Sequence, residues 1–80
     1  MLIFQSKSFE KTVKKLSKDD KPALDKAVRI ILDNPNIGAE KKGDLVQIYI
    51  YKYKVKAQQY LLAYRFSDSE LELIKISTAI

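Results

Sequence analysis

The chain has 80 residues, 46% of them hydrophobic, with 15 Lys/Arg against 10 Asp/Glu, a net charge of +5, and neither cysteine nor histidine. That length makes one domain, residues 1–80, with a single modest core. The missing residue types exclude disulfide and thiolate chemistry, the usual neutral-pH acid–base side chain and the commonest metal ligand, so no metal or cofactor is expected, and the positive charge favours acidic partners.

No apolar run approaches the length of a membrane span, and Leu2-Ile3-Phe4 is too short for a signal peptide, so a cytoplasmic protein with no membrane partner is expected. Residues 1–43 hold ten Lys/Arg against six Asp/Glu, and residues 44–80 five against four. A lysine-rich solvated helix surface accounts for such a bias as well as a nucleic-acid partner does.

In chain order, Leu2 to Gln5 reads as a first strand. Ser8 is a plausible helix N-cap, because Phe9, Val13 and Leu16 follow it at i, i+4, i+7 while Lys11, Lys14 and Lys15 fall off that stripe. Ser17 to Pro22 joins a second helix that Asp19 or Asp20 can cap, with Pro22 tolerated only in its first turn. There Leu24, Ala27, Val28, Ile31 and Leu32 form the apolar stripe, and Lys21, Asp25, Lys26 and Arg29 face water. Asp33-Asn34-Pro35 stops it. Helices joined this closely form an antiparallel hairpin. Asn36 to Gly43 reads as a loop.

Lys41 to Phe66 reads as one long β-hairpin turning at Lys56-Ala57. Either a two- or a four-residue turn gives the same parity. One face then carries Tyr49, Tyr51, Tyr53, Tyr60, Leu62, Tyr64 and Phe66, a core face expected to pack under the helices. The other carries Ile48, Ile50, Lys52, Lys54, Gln59, Leu61, Ala63 and Arg65, a mixed basic and apolar surface. After a turn at Ser67-Asp68-Ser69, Glu70 to Thr78 forms a last strand whose imperfect alternation suggests cover on both sides. The predicted architecture is α+β in the order β-α-α-β-β-β, with the helical hairpin packed on an antiparallel sheet of three to four strands.

This order, together with FEKTVKKL in the first helix, LDKAVRIILDNP in the second, KKGDL at Lys41 to Leu45 and KYKV…YLLAY at Lys52 to Tyr64, resembles the RelE/ParE superfamily of bacterial type II toxins, most closely its ParE-like branch. The resemblance spans nearly the whole chain, and its specificity lies in the order and spacing of the segments. It implies a small basic toxin made beside a cognate antitoxin that silences it. RelE-like members cleave messenger RNA in the ribosome, and ParE-like members poison DNA gyrase. Ribosome-dependent members place basic residues where Lys52 and Lys54 stand, an arginine where this chain has Leu61, and commonly a histidine or tyrosine near or beyond the final strand, the histidine position falling near Thr78 or Ala79. Related chains usually run further, and the usual C-terminal segment is expected to be missing here.

Cleavage through the 2′-hydroxyl needs a base, an acid and positive charge on the phosphorane. Lysine, with an ordinary pKa of ~10.4, is a poor base at neutral pH. Arg65 shares a face with Leu61 but stands four residues along, roughly 13 Å away at strand rise, and cannot replace the arginine. Three functions are therefore carried forward: a toxin that binds a replication target such as DNA gyrase, a ribosome-dependent endoribonuclease, and an inactive member that only binds antitoxin. Lys52, Lys54 and Arg65 are the catalytic candidates. Lys41, Lys42, Lys52, Lys54 and Arg65 are the target-binding set, and Ile48, Ile50, Leu61 and Ala63 the antitoxin-binding set. With no antitoxin present, self-association through this face or the last strand is expected.

Overall fold

The computed structural model describes residues 2–42 and 47–79, the side chains of Lys42 and Ala79 excepted. Strand β1 (Leu2–Gln5) leads into helices α1 (Lys7–Lys15) and α2 (Asp20–Asp33), a 3₁₀ turn at Pro35–Ile37, and strands β2 (Ala39–Lys42), β3 (Gln47–Val55), β4 (Gln58–Ser67) and β5 (Glu70–Ala79). The strands form one sheet in the order β1-β5-β4-β3-β2. The α+β architecture stands, with two refinements. The sheet has five strands, and it is mixed, because β1 runs parallel to β5 while the other pairs are antiparallel. The stretch expected to be loop after Asn36 contains β2, which pairs Ala39 with Ile50 and Lys41 with Ile48. Gly43, Asp44 and Leu45 of the KKGDL signature lie outside the described residues.

The helix starts depart from the sequence reading. Ser6, not Ser8, caps α1: its hydroxyl accepts from the Phe9 N–H at 3.0 Å and donates to the Ile74 carbonyl. Either serine satisfies the local rule for a cap. Ser6 alone stands where the chain leaves the sheet, its own N–H bonded to the Leu73 carbonyl at 3.0 Å. At α2, Asp19 holds the N-cap position as expected, but its side chain makes no capping bond. The Ser17 hydroxyl accepts from the Asp20 N–H at 3.3 Å instead.

The hairpin register is the expected one. Val55 pairs with Gln58 across a two-residue turn, and Tyr53 pairs with Tyr60. Lys56 sits at φ 56, the only positive-φ residue described outside glycine. A positive φ at the first turn position alone matches type II′, one of the two turns whose twist suits a hairpin.

The core forms where predicted. Phe9, Leu24, Ala27 and Ile31 from the helices bury against Tyr49, Tyr60, Leu62, Tyr64, Leu71, Leu73 and Ile76 of the sheet. Tyr51, Tyr53, Val55 and Phe66 pack against its margin, and stacked pairs such as Tyr53–Tyr60, 5.4 Å between centroids, line it. The last strand corrects the expectation of cover on both faces. A register shift between Ala63/Tyr64 and Lys75/Leu73 leaves Ile74 without a partner, a β-bulge. Parity flips there, so Leu71, Leu73 and Ile76 all face the core and Lys75 faces out. A bulge and a two-sided strand produce the same irregular string of apolar residues. No helix among the described residues is long and apolar enough to cross a membrane.

Candidate functional site

The helices cover one face of the sheet. Among the described residues nothing covers the other, and cross-strand partners share a face, so its composition follows from the register. One row runs Ala39, Ile50, Ala63, Lys75, and the next runs Lys52, Leu61, Ser77. Beyond them Lys54 lies opposite Gln59, and Lys41 opposite Ile48. The structure thus brings Lys52 and Lys54 to one face, as the parity predicts, and β2 adds Lys41 to them, all three exposed. Lys42 ends β2 opposite Gln47. Ile48, Ile50, Leu61 and Ala63 are half-buried between the charges.

Lys52 and Lys54 stand two residues apart on β3, about 7 Å at strand rise. Neither makes an ion pair among the described residues, where the salt bridges are Lys56–Asp19 and Arg65–Glu72. β2 spans only Gln47 to Ile50 of β3, so Tyr51 to Val55 also forms a sheet edge, where lysines discourage strand addition. Arg65 is on the face but bonds Glu72 beside it, and that carboxylate already neutralises its charge. Lys75, which the sequence reading missed, joins the exposed cations opposite Ala63. Its signal was hidden by the bulge, because simple alternation from Leu71 and Leu73 puts residue 75 in the core.

The ionisable tyrosines sit on the other side. Burial, then Tyr60 and Asp20, pushes Tyr53 up to about 12. Tyr60 is raised because its hydroxyl donates to Asp20 at 2.8 Å, with burial and the Asp20 charge adding. Tyr64 is raised by burial, opposed by the Gly38 N–H it accepts. All three stay protonated at neutral pH, and Tyr60 and Tyr64 act as donors in the core rather than as bases at the open face.

Tyr64 also positions part of the site. Its hydroxyl donates to the Pro35 carbonyl at 2.6 Å and accepts from the Gly38 N–H at 3.1 Å. This pins the 3₁₀ turn that delivers β2, and so Lys41, to the sheet. Gly38 has an ordinary φ of −74, but a Cβ there would stand 2.8 Å from the Tyr64 hydroxyl and 3.0 Å from the Ile50 carbonyl oxygen. Close approach, not backbone freedom, requires the glycine.

Residues 3–79 match the family model described as the ParE-like toxin of type II bacterial toxin–antitoxin systems. Among solved structures, the chain is similar to one in the crystal structure of the intact E. coli RelBE toxin–antitoxin complex: 23% identity, TM-score 0.75, covering 99% of this chain and 96% of that one. The isolated E. coli RelE toxin gives the same identity and TM-score, with 99% of this chain and 84% of that chain covered. No curated protein matches.

Proposed function

The chain belongs to the ParE-like toxin family of type II bacterial toxin–antitoxin systems, and from that premise we propose that it inhibits growth by engaging messenger RNA at the ribosome through its open sheet face, and that a cognate antitoxin silences it there. The observation that carries this reading is the pair Lys52 and Lys54, exposed side by side with no ion pair among the described residues and with Lys41 and Lys75 on the same face. Unpaired cations at this spacing neutralise consecutive phosphates of a nucleic-acid strand. The fold likeness to E. coli RelE supports the same direction. The RelBE complex supports an antitoxin partner, for which half-buried Ile48, Ile50, Leu61 and Ala63 offer apolar contacts between charges.

The test is a reconstituted translation reaction in which message integrity is followed with wild type and with the Lys52→Glu/Lys54→Glu variant. Wild type should truncate the message and the variant should not. A second reading, a toxin that binds DNA gyrase, is favoured by Leu61 in the row beside Lys52 and by the neutralised Arg65, which leave the face more apolar than an RNA site requires. Intact message together with gyrase-dependent DNA breaks would decide for it. If the double variant still inhibits growth at equal soluble expression, the lysines serve only as a solvated edge.

A further inference from the structure

The two edges of the sheet are built differently. The edge formed by β2 and the end of β3 carries Glu40, Lys41, Lys52 and Lys54. Such charges blunt an edge against strand addition. The opposite edge, β1, has the sequence LIFQ, with no charge, no proline and no bulge. Its Leu2, Ile3 and Phe4 are 62%, 43% and 49% exposed, three of the four large apolar side chains most open to solvent among the described residues.

The backbone of β1 is half-used. The Leu2 N–H donates to the Ser69 carbonyl at 2.9 Å and the Ser6 N–H to the Leu73 carbonyl at 3.0 Å. Even-numbered residues therefore turn their peptide groups toward β5. Successive residues of a strand direct these groups to opposite edges, so Ile3 and Gln5 present theirs outward. A groove flanks the strand on each side. Phe4, Arg65 and Glu72 line the one on the open face, and Ile3, Gln5, Val13 and Leu24 line the one beneath the helices.

We propose that this edge is a self-association surface, on which β1 of a second copy adds antiparallel about a two-fold axis normal to the sheet. The register that keeps like faces together places Phe4 opposite Phe4 on the axis and Ile3 opposite Gln5 on either side. All four outward peptide groups of Ile3 and Gln5 are then satisfied by the second copy's. An aromatic pair forms on the open face, and no charge is opposed anywhere along the strand. A second copy fits because the edge requires an uncharged extended strand, and β1 is one. Two four-residue strands cover far less than the roughly 1,600 Å² of a standard interface, so the dimer is weak and reversible. The axis leaves the lysine faces of both copies on the same side and uncovered. The inference rests on the fold alone and is independent of which target the toxin engages.

Sedimentation equilibrium of the full chain, across a series from micromolar to millimolar, tests it. The weight-average mass should climb from 9.2 kDa toward twice that value. Gln5→Pro removes an outward N–H while sparing every β1–β5 bond, and Phe4→Lys puts charge on the axis. Each should abolish the rise while circular dichroism stays native. Should a variant fail to fold, the wild-type chain still reports, because exchange of the Ile3 and Gln5 amides should slow as concentration rises. A monomer throughout the series overturns the proposal and leaves the edge to a strand from another protein. A dimer that persists in both variants, or that leaves those two amides unprotected, overturns it as well.

Discussion

Replacing Tyr64 with phenylalanine tests how the fold holds its open, lysine-bearing face. The ring is fully buried and stacks on Tyr49 with centroids 5.6 Å apart, so phenylalanine keeps the packing and removes only the hydroxyl. Two hydrogen bonds go with it, leaving the Pro35 carbonyl and the Gly38 N–H without a partner. A typical bond contributes about 1 kcal/mol net, and a buried orphaned group costs about 1–3 kcal/mol. These bonds are only partly buried, so water recovers some of the loss, and the total comes to about 2 kcal/mol. For a domain of this size that lowers the melting temperature by roughly 8–16 °C. Urea unfolding should show a lower midpoint at unchanged slope, since the surface exposed on unfolding is the same. Tyr49→Phe is the control: the neighbouring hydroxyl has no hydrogen-bond partner among the described residues, and its loss should be nearly neutral. If Tyr64→Phe costs no more than Tyr49→Phe, the turn is not held by this hydroxyl. Amide exchange in Ala39–Lys42 should quicken in the Tyr64 variant, because the pinned turn is what brings β2 onto β3.

Lys56→Gly should raise stability by about 0.5–1 kcal/mol in urea melts, since an L-residue in the left-handed region costs about 1–2 kcal/mol and glycine returns part of that as unfolded-chain entropy. The Lys56–Asp19 pair lost with it is exposed and contributes little. Alkaline pH should destabilise the fold. Tyr53 is raised to about 12, so between pH ~10 and ~12 the unfolded chain releases a proton that the folded chain keeps; its stabilisation is complete below pH ~10 and is lost as pH rises through that window, and Tyr53→Phe should flatten the decline in the urea midpoint. For single-stranded RNA, Lys52→Glu/Lys54→Glu should reduce the slope of log affinity against log salt by at least about 1.4, at 0.7 per lost phosphate contact. An unchanged slope would place the bound phosphates elsewhere.

The hairpin was legible because its period of two runs uninterrupted from Tyr49 to Val55 and from Gln58 to Phe66, and a two-residue turn fixes the register without depending on its residue types. The helix stripes were legible for the same reason, Leu24, Ala27 and Ile31 being buried where the period puts them. What escaped was decided by distant contacts. Ser6 and Ser8 look alike locally, and only the Leu73 and Ile74 carbonyls select Ser6. AEKK has weak strand propensity and pairs with β3 because Tyr64 fixes the turn before it. Among the site residues, the exposure of Lys52 and Lys54 followed from parity. The neutralisation of Arg65 did not, since it requires knowing that Glu72 is its cross-strand neighbour.

The bulge at Ile74 joins these threads. Without the extra residue, β5 would carry the parity of Leu71 and Leu73 onward, placing Lys75 beneath the helices and Ile76 on the open face. Leaving Ile76 exposed forfeits about 1.5–3 kcal/mol of burial, and a buried unpaired ammonium costs more still, whereas a bulge costs one unpaired position in the ladder. The sequence Ile74-Lys75-Ile76 therefore selects the irregularity. Having formed, it turns a fourth lysine toward Lys41, Lys52 and Lys54. The Ile74 carbonyl, out of step with β4, accepts the Ser6 hydroxyl that starts α1. One displaced residue thus sets where the helical layer begins and what charge the opposite face presents.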